Sequence, residues 1–187
     1  RRGIEQHGGQ RAQVVDPDHR LDAVQRVAVT VGLDDEQLLV GLRVAEHRLE
    51  EEAGGLGLGL FDAALLMEEA GRTLASGPLA EALVAARLLA QFGGQDDLLG
   101  TVLAGETVAT IALADIAVQP VQWVAGGAVA EAVIVRRGND VVLVEVPESA
   151  RAAEENLAST PIAEINLGAL PATALGSGDA ALAIFAA

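Results

Sequence analysis

Residues 51–93 read EEAGGLGLGLFDAALLMEEAGRTLASGPLAEALVAARLLAQFG, and this stretch decides the fold that the sequence predicts. It contains a glycine loop, an apolar run with helical spacing, a turn with Pro78, and a second helical run. Proline suits the first position of a helix because its missing N–H would have no partner there. The glycine pair at 93–94 is typical of a helix end. The stretch therefore predicts two helices, over 61–74 and 78–92, joined by a short turn.

The first of these helices is amphipathic. Its predicted buried face consists of Leu60, Ala64, Met67, Ala70 and Leu74. On its wetter side, the acidic pair Glu68 and Glu69 with Arg72 can be interpreted as an acid–base site with an arginine clamp. A structural role is favoured, because Glu68 precedes Arg72 by four residues, a spacing that suits an ion pair on a helix surface.

The regions on either side of this stretch predict further helices. Asp34 and Gln37 form a capping box before an apolar stripe, which predicts a helix from about 35 to 52. Residues 21–31 fit a helical spacing and an alternating strand equally, and a helix is predicted there. After residue 93, Asp96 or Asp97 can cap a short helix that reaches Leu103; these two sites remain alternatives.

The second half of the chain changes to strand-like patterns. Apolar, β-branched runs that predict strands span 108–113, 132–135, 141–146 and 162–167, with a turn at Gly138-Asn139-Asp140. Residues 148–157 fit a short helix or a loop, 176–179 a loop, and 180–187 the first turns of a helix. The predicted fold class is α+β, a helical domain followed by a small, mostly antiparallel β domain. The predicted divisions are 1–50, 51–105, 106–180 and 181–187.

Composition excludes several classes of partner. The 187 residues contain no Lys and carry a net charge of −15, so nucleic acid would be repelled. There is no Cys, and His7, His19 and His47 lack the spacing of a metal site, so no metal is predicted. At 51% hydrophobic residues the chain can fill a core, and this core must be aliphatic because there are only three Phe, one Trp and no Tyr.

The N-terminus and the apolar runs of the sequence are used to predict where in the cell the protein lies. No stretch of about eighteen uncharged apolar residues occurs, so no membrane span is expected. The sequence starts with Arg-Arg, without Met and without the apolar region of a secretory signal. These features predict a cytoplasmic protein and a chain that is a fragment or a processed piece.

Residues 54–59, GGLGLG, offer two interpretations. Glycine amides before a helix can bind anionic oxygens, which would make this a phosphate loop. However, a dinucleotide-binding fingerprint needs a preceding strand, whereas an acidic helical run precedes these glycines, and a P-loop needs a Lys. A role in reversing the chain direction is favoured.

The order of three motifs resembles one protein family. GGLGLG at 54–59, EEAGR at 68–72 and GPLAEA at 77–82 follow one another as in the N-terminal helical domain of acyl-CoA dehydrogenases. The resemblance covers 51–113 well, 120–185 loosely and 1–50 hardly at all. It implies a helical domain followed by a β domain, and flavin-dependent chemistry.

The resemblance also implies where FAD would bind. Residues 112–116, ALADI, fall where the family has a motif like ALTEP, whose backbone and Thr side chain hold the flavin ring; Ala114 and Asp115 stand at the Thr and Glu positions. Trp123 falls in a strand that packs on the flavin in the family, although a lone Trp can equally fill a core. Only seven residues separate Asp115 from Trp123, which predicts an abridged β domain. The implied cofactor-binding residues are Leu113, Ala114, Asp115, Trp123, Val124 and Ala125.

The implied parent reaction is FAD-dependent α,β-dehydrogenation of an acyl-CoA thioester, with electrons passed to an electron-transfer flavoprotein. The family's catalytic base lies in a C-terminal helical bundle, so no residue of this chain is expected to be catalytic, and the chain is expected to be inactive alone. A homo- or hetero-oligomer with a chain that carries the C-terminal domain is the implied assembly. The alternative is a non-catalytic subunit or interaction module that does not bind flavin, because ALADI replaces ALTEP and an insertion is missing.

Overall fold

The structure, a computed structural model, describes residues 60–72, 77–157 and 160–186. The helices are α1 (Leu60–Arg72), α2 (Leu79–Phe92), α3 (Asp96–Ala104) and α4 (Gly178–Ala186). The strands are β1 (Ala109–Ala112), β2 (Val121–Val124), β3 (Ala132–Arg137), β4 (Asp140–Glu145), β5 (Ala163–Asn166) and β6 (Ala172–Ser177). The predicted α+β class is confirmed. The predictions for 1–50 and for the glycine loop at 54–59 lie outside the described residues.

The strands form two sheets. In the larger sheet the order is β1-β3-β4-β6, with β1 parallel to β3 and the other neighbours antiparallel. The smaller sheet pairs β2 with β5 in antiparallel register. The β3–β4 hairpin turns at Gly138, as the sequence predicts, where φ is 61°. The sheets are therefore mostly antiparallel, as predicted.

Both faces of the larger sheet are buried, and each faces a different layer. Toward α2, α3 and α4 the two central strands present Ala132, Ile134, Val141 and Leu143. Toward β2 and β5 they present Val133, Val135, Val142 and Val144. Side chains alternate across a strand, so a strand that is covered on both faces must be apolar at successive positions. This explains the uninterrupted apolar runs in β3 and β4.

Helix α2 lies against the sheet between two glycines that leave room for its ends. A Cβ added to Gly126 would lie 2.5 Å from the Cβ of Pro78, which precedes the helix. A Cβ added to Gly176 would lie 2.8 Å from Cε1 of Phe92, the last residue of the helix. We call these two gaps the glycine notches. Because neither gap could hold a larger residue without movement of its neighbour, they set the position of both ends of α2.

Several helix details differ from the prediction. Pro78 is the N-cap of α2 and not its first helical residue. Gln95 occupies the N-cap of α3 without a side-chain bond, and the acidic pair Asp96 and Asp97 lies in the first turn, where negative charge is favourable to the helix dipole. In α1, Ala63 and Ala70 are buried, whereas Ala64 is exposed. The run is apolar at so many successive positions that its periodicity does not fix which face is buried.

The C-terminal part also corrects one prediction. The loop predicted at 176–179 is wrong, because 176–177 belong to β6 and 178–179 to α4. Strand β6 contains mostly small residues, none of them fully buried, and Thr173 is its one β-branched residue, so no strand pattern marks it. The predicted helix after residue 180 is confirmed as α4, and 148–157 begins with a short 3-10 turn at Glu148–Ala150 before an irregular segment.

Candidate functional site

A cleft of about 420 Å³ lies between the first turns of α2 and the neighbouring ends of β1 and β2. The lining residues are Ala80, Glu81, Val84, Ile111, Ala112, Leu113, Ala114, Gln119, Gln122, Trp123 and Ala125. Most of these side chains are apolar or small, and Glu81 carries the one formal charge among them. Clefts of ~300–1,000 Å³ with mostly apolar walls and a few polar groups are the usual form of a small-molecule site.

The structure brings together four of the six residues that the resemblance implies for flavin binding. Leu113, Ala114, Trp123 and Ala125 line the cleft. Val124 does not: it alternates inward along β2 and is 1% exposed in the core between the two sheets. Asp115 also lies outside the cleft lining, and it holds a neighbouring turn. Contact of any of the six with a cofactor stays a prediction.

Trp123 and Leu113 form the open side of the cleft. Their exposed fractions are 57% and 81%, and Val84 of α2 is 39% exposed beside the same cleft. Trp123 points outward because Val121 and Trp123 alternate with the buried pair Gln122 and Val124 along β2. The indole is therefore an exposed apolar surface and not a filler of the core, which was the other interpretation of a lone Trp.

Gln122 fixes the loop that forms one wall of the cleft. Its side-chain Oε1 accepts the N–H of Ala114 at 3.2 Å, and its Nε2 donates to the carbonyl oxygens of Ala114 and Gln119, both at 2.9 Å. The side chain is buried, with the residue 4% exposed. Since a buried amide must satisfy its donors and acceptors, these three bonds tie residues 114–119 to β2. Both backbone polar groups of Ala114 are thereby occupied.

Asp115 joins the same loop to the β3–β4 turn. Its Oδ1 accepts the N–H groups of Gly138 and Ala117, both at 2.9 Å, and its Oδ2 lies 3.4 Å from Nε of Arg136. The N–H of Gly138 most of all holds the pKa of Asp115 below its ordinary value, and the Ala117 N–H and the Arg136 guanidinium act in the same direction against partial burial. Asp115 is therefore charged and structural in this arrangement.

A third polar contact ties β1 to the end of β2. The hydroxyl of Thr110, which is fully buried, donates to the carbonyl oxygen of Ala125 at 2.8 Å. The next residue, Gly126, has a φ of 74° and accommodates Pro78 in the first glycine notch. The start of α2, the edge strand β1 and the end of β2 therefore meet at one point, beside the cleft.

The cleft fits a flavin ring better than it fits the rest of FAD. Its apolar walls and the exposed indole of Trp123 can contact a planar ring system. The diphosphate of FAD would need cations or free N–H groups, yet the lining contains no Arg and the Ala114 N–H is already bonded to Gln122. In the part of the chain that the structure describes, the cleft can therefore hold the ring and leaves the diphosphate to other groups.

Seven lining residues were not among the predicted site residues: Ala80, Glu81, Val84, Ile111, Ala112, Gln119 and Gln122. The contribution of α2, through Ala80, Glu81 and Val84, depends on how the helix crosses the sheet, which no local pattern reveals. Gln122 did carry a signal, because it stands at an inward position of β2 that alternation would otherwise fill with an apolar residue. A buried amide next to a loop is the usual way to satisfy backbone groups that lack sheet partners.

Among residues 60–72, 77–157 and 160–186, no three His, Asp or Glu side chains lie close enough together to hold a metal ion. No helix in those ranges is long and apolar enough to cross a bilayer.

Comparison with solved structures supports the resemblance to acyl-CoA dehydrogenases, whereas two other comparisons found no match. No protein-family model matches the chain, and no curated protein matches it significantly. A solved structure does match: a variant of the steroid acyl-CoA dehydrogenase Tcur3481-Tcur3483, with a TM-score of 0.62 and 27% sequence identity. The match covers 90% of this chain and 55% of the other, so the chain spans about half the length of that protein. The resemblance of this chain to the acyl-CoA dehydrogenase family is therefore confirmed.

Proposed function

We propose that the chain is part of an acyl-CoA dehydrogenase-like flavoprotein whose parent reaction is FAD-dependent α,β-dehydrogenation of an acyl-CoA thioester. The observation that carries the proposal is the cleft, because Leu113, Ala114, Trp123 and Ala125 line it together and are four of the residues that the resemblance implies for flavin. The likeness in fold across 90% of the chain supports the same conclusion. An acyl-CoA substrate, an electron-transfer flavoprotein partner and a cytoplasmic location are part of this proposal.

In this proposal the chain's own residues bind and orient, and bound FAD supplies the acceptor for the two electrons and the hydrogen that leave the acyl group. Trp123 provides a flat apolar face for the ring, and Leu113 and Val84 keep water from its edges. Gln122 keeps the wall at Ala114 in place. Proton abstraction from the substrate is not assigned to any described residue, and the diphosphate would be held by groups outside the cleft lining. We therefore propose that the chain is inactive alone and works in an oligomer.

A flavin titration tests this proposal. Trp123 is the chain's only Trp and there is no Tyr, so fluorescence excited in the tryptophan band reports on the cleft. We expect FAD to quench this emission at saturable, micromolar concentrations, and the free ring compound lumiflavin to quench it with similar affinity. Flavin absorbs light and can lower the emission without binding, so calorimetry measures binding independently of light. The same calorimetry on a Trp123→Phe variant shows how much the indole contributes to the affinity. Absence of saturable binding of both compounds to the folded protein would refute the flavoprotein assignment.

The second candidate function is a non-catalytic subunit or interaction module. One observation favours it: the N–H and the carbonyl oxygen of Ala114 are both bonded to Gln122, so the backbone group that the family uses to hold flavin is occupied. Ala114, which stands at the family's Thr position, also lacks a hydroxyl group. Under this alternative the folded protein binds a partner chain and shows no flavin binding in the titration above, and acyl-CoA turnover by the assembled complex does not change when Trp123 is replaced by Phe.

A further inference from the structure

A second cavity, of about 380 Å³, lies at the end of the larger sheet opposite the cleft. At this end Ala132 of β3 pairs with Glu145 of β4, and one step further the carbonyl oxygen of Glu131 accepts the N–H of Val146 at 2.9 Å. The cleft lies at the other end, because it is lined by the C-terminal end of β1, which runs parallel to β3. We call the second cavity the arginine cavity, after the one cationic residue in its lining, which consists of Glu131, Glu145, Val146, Pro147, Arg151 and Pro171.

The guanidinium of Arg151 makes little use of its donors within the described part of the chain. Its Nη1 lies 3.5 Å from the carbonyl oxygen of Val129, longer than the ~2.7–3.2 Å of an ordinary bond, and its buried Nε has no partner there. It forms no ion pair with a described residue, although every other charged residue after Arg137 is acidic. A half-buried guanidinium with unused donors needs an explanation, and an acceptor on a ligand would provide one.

The charges of the arginine cavity restrict that ligand. A carboxylate is the group that a guanidinium binds best, through parallel hydrogen bonds. A ligand with acidic groups alone would be repelled by Glu131 and Glu145, whereas ammonium groups would be attracted to them. One guanidinium and two carboxylates leave a net formal charge of −1, which a ligand with one carboxylate and two ammonium groups neutralises. The two prolines and Val146 offer apolar contact to a carbon chain between those groups.

From these observations we infer that the arginine cavity binds a free α-amino acid with a cationic side chain. Its carboxylate accepts hydrogen bonds from Arg151, and its two cationic groups lie near Glu131 and Glu145. The inference does not rest on flavin binding or on turnover. Since the arginine cavity and the cleft lie at opposite ends of the sheet, the two sites are expected to be occupied independently.

A matched set of three ligands tests the inference on the full chain by calorimetry. They are lysine, norleucine (lysine without its side-chain ammonium group) and cadaverine (lysine without its carboxylate). We expect lysine to bind at least about tenfold more tightly than either of the others. General attraction to an acidic protein would instead favour cadaverine, which carries two positive charges and no negative one. No binding of lysine, or equal or tighter binding of norleucine or cadaverine, would overturn the inference.

Replacement of the guanidinium tests its role in the preference for a carboxylate. Arg151→Met should weaken lysine binding about tenfold or more and should leave cadaverine binding unchanged or stronger, because a positive charge is removed. The control, Arg137→Met, makes the same change at an exposed position of β3 outside the lining and should not change the affinity for lysine. If the two folded variants bind lysine equally well, Arg151 does not hold the ligand and the inference is wrong.

Replacement of the glutamates gives a second test that does not depend on the folding of Arg151→Met. Glu131 and Glu145 are both exposed, so the double variant Glu131→Gln with Glu145→Gln should fold. It should weaken lysine binding about tenfold or more and norleucine binding less. Glu164→Gln, at an exposed position of β5 outside the lining, is the control and should have no effect. Unchanged lysine binding by the double variant would contradict the inference.

The outcome is separable from that of the flavin titration. Trp123→Phe changes the cleft alone and should leave lysine binding unchanged. If FAD binds and lysine does not, the flavoprotein assignment stands and the inference on the arginine cavity fails. If lysine binds as described and FAD does not, the reverse holds.

Discussion

The centre of the larger sheet and its cleft end are held together by different forces. At the centre, β3 and β4 are buried on both faces by aliphatic side chains, and their apolar cores need no polar side chain. At the cleft end, Gln122 accepts the N–H of Ala114 and Asp115 accepts the N–H of Gly138, which hold the loop after β1. The Thr110 hydroxyl donates to the carbonyl oxygen of Ala125 and so holds the end of β2. The centre is therefore stabilised by packing, and the shape of the cleft by a small number of polar contacts.

This difference shows why a site can be open without weakening the fold. Leu113 and Trp123 remain 81% and 57% exposed because their loop and strand are held by polar contacts elsewhere. The apolar side chains at the cleft are thus exposed and can contact a ligand, whereas those of the core are buried against one another. The comparison predicts that substitutions in the two regions differ in size and in their dependence on pH.

The largest expected effect is at the centre of the sheet. Ile134→Ala removes a fully buried side chain from the helix-facing core and should lower the free energy of unfolding by ~2–5 kcal/mol. Leu113→Ala, its control at the cleft, removes a mostly exposed side chain and should change stability by less than ~0.5 kcal/mol. Urea denaturation of both variants measures the contrast. Similar losses at the two positions would mean that packing does not separate the regions.

The next effect is at the first glycine notch. Gly126→Ala places a methyl group against Pro78 at a residue whose φ is 74°, so we expect a loss of ~2–4 kcal/mol from contact and backbone strain together. Gly138→Ala has a similar φ of 61° and no atom within 4 Å of the added methyl group, so it should cost only ~1–2 kcal/mol from strain. Thermal and chemical unfolding of the pair isolate the contribution of Pro78. Equal losses would show that the helix end does not depend on this contact.

A smaller effect is expected where the polar contacts hold the loop. Gln122→Glu keeps an acceptor for the N–H of Ala114 but places a carboxylate oxygen against the carbonyls of Ala114 and Gln119, which should cost ~1–3 kcal/mol at neutral pH. Gln119→Glu makes the same chemical change at an exposed side chain and serves as the control. We also expect Trp123 emission to shift in Gln122→Glu alone, because the loop beside the indole moves. An unshifted emission with unchanged stability would indicate that Gln122 does not hold the loop.

The smallest effect concerns pH. Hydrogen bonds lower the pKa of Asp115 in the folded protein, so the charged carboxylate stabilises the fold above the unfolded value of ~3.9 and loses that contribution as pH falls through the lower folded value. Asp115→Asn should be less stable than the parent by ~1 kcal/mol at pH 7, and the gap should shrink as pH falls below ~3.9. Unfolding curves of both proteins between pH 7 and pH 2.5 measure the gap. A gap that widens on acidification would show that the folded pKa is raised.

The packing of the sheet centre could be predicted from the sequence, whereas the cleft could be predicted only in part. Residues 141–144 are apolar at every position, and burial on both faces demands that pattern. The end of α2 at Phe92 was predicted correctly from the glycine pair at 93–94. Strand β6 was missed because small residues such as Ala174 leave no periodic signal, and a strand can pair through its backbone regardless of side chain.

The cleft is formed by residues that are far apart in the sequence, and this is why its shape could not be predicted from local patterns. Ala80 and Ala125 meet across the cleft although 44 intervening residues separate them in the sequence. The resemblance suggested the strand side of the cleft through Leu113 and Trp123, and it did not suggest the helix side. The hydrogen bonds between Gln122 and Ala114 depend on how the loop folds back onto β2, which the sequence does not reveal. Fold class therefore follows from local pattern, and the shape of the site from tertiary contacts.

The two glycine notches have a consequence for how ligands enter. Helix α2 is seated at both ends, with Pro78 at Gly126 and Phe92 at Gly176, so sliding or tilting of the helix across the sheet would drive one end into backbone. A domain movement that opens the cleft by shifting this helix is therefore disfavoured. Movement of the opposite wall would instead require release of the contacts that Gln122 and Asp115 make with the segment after β1.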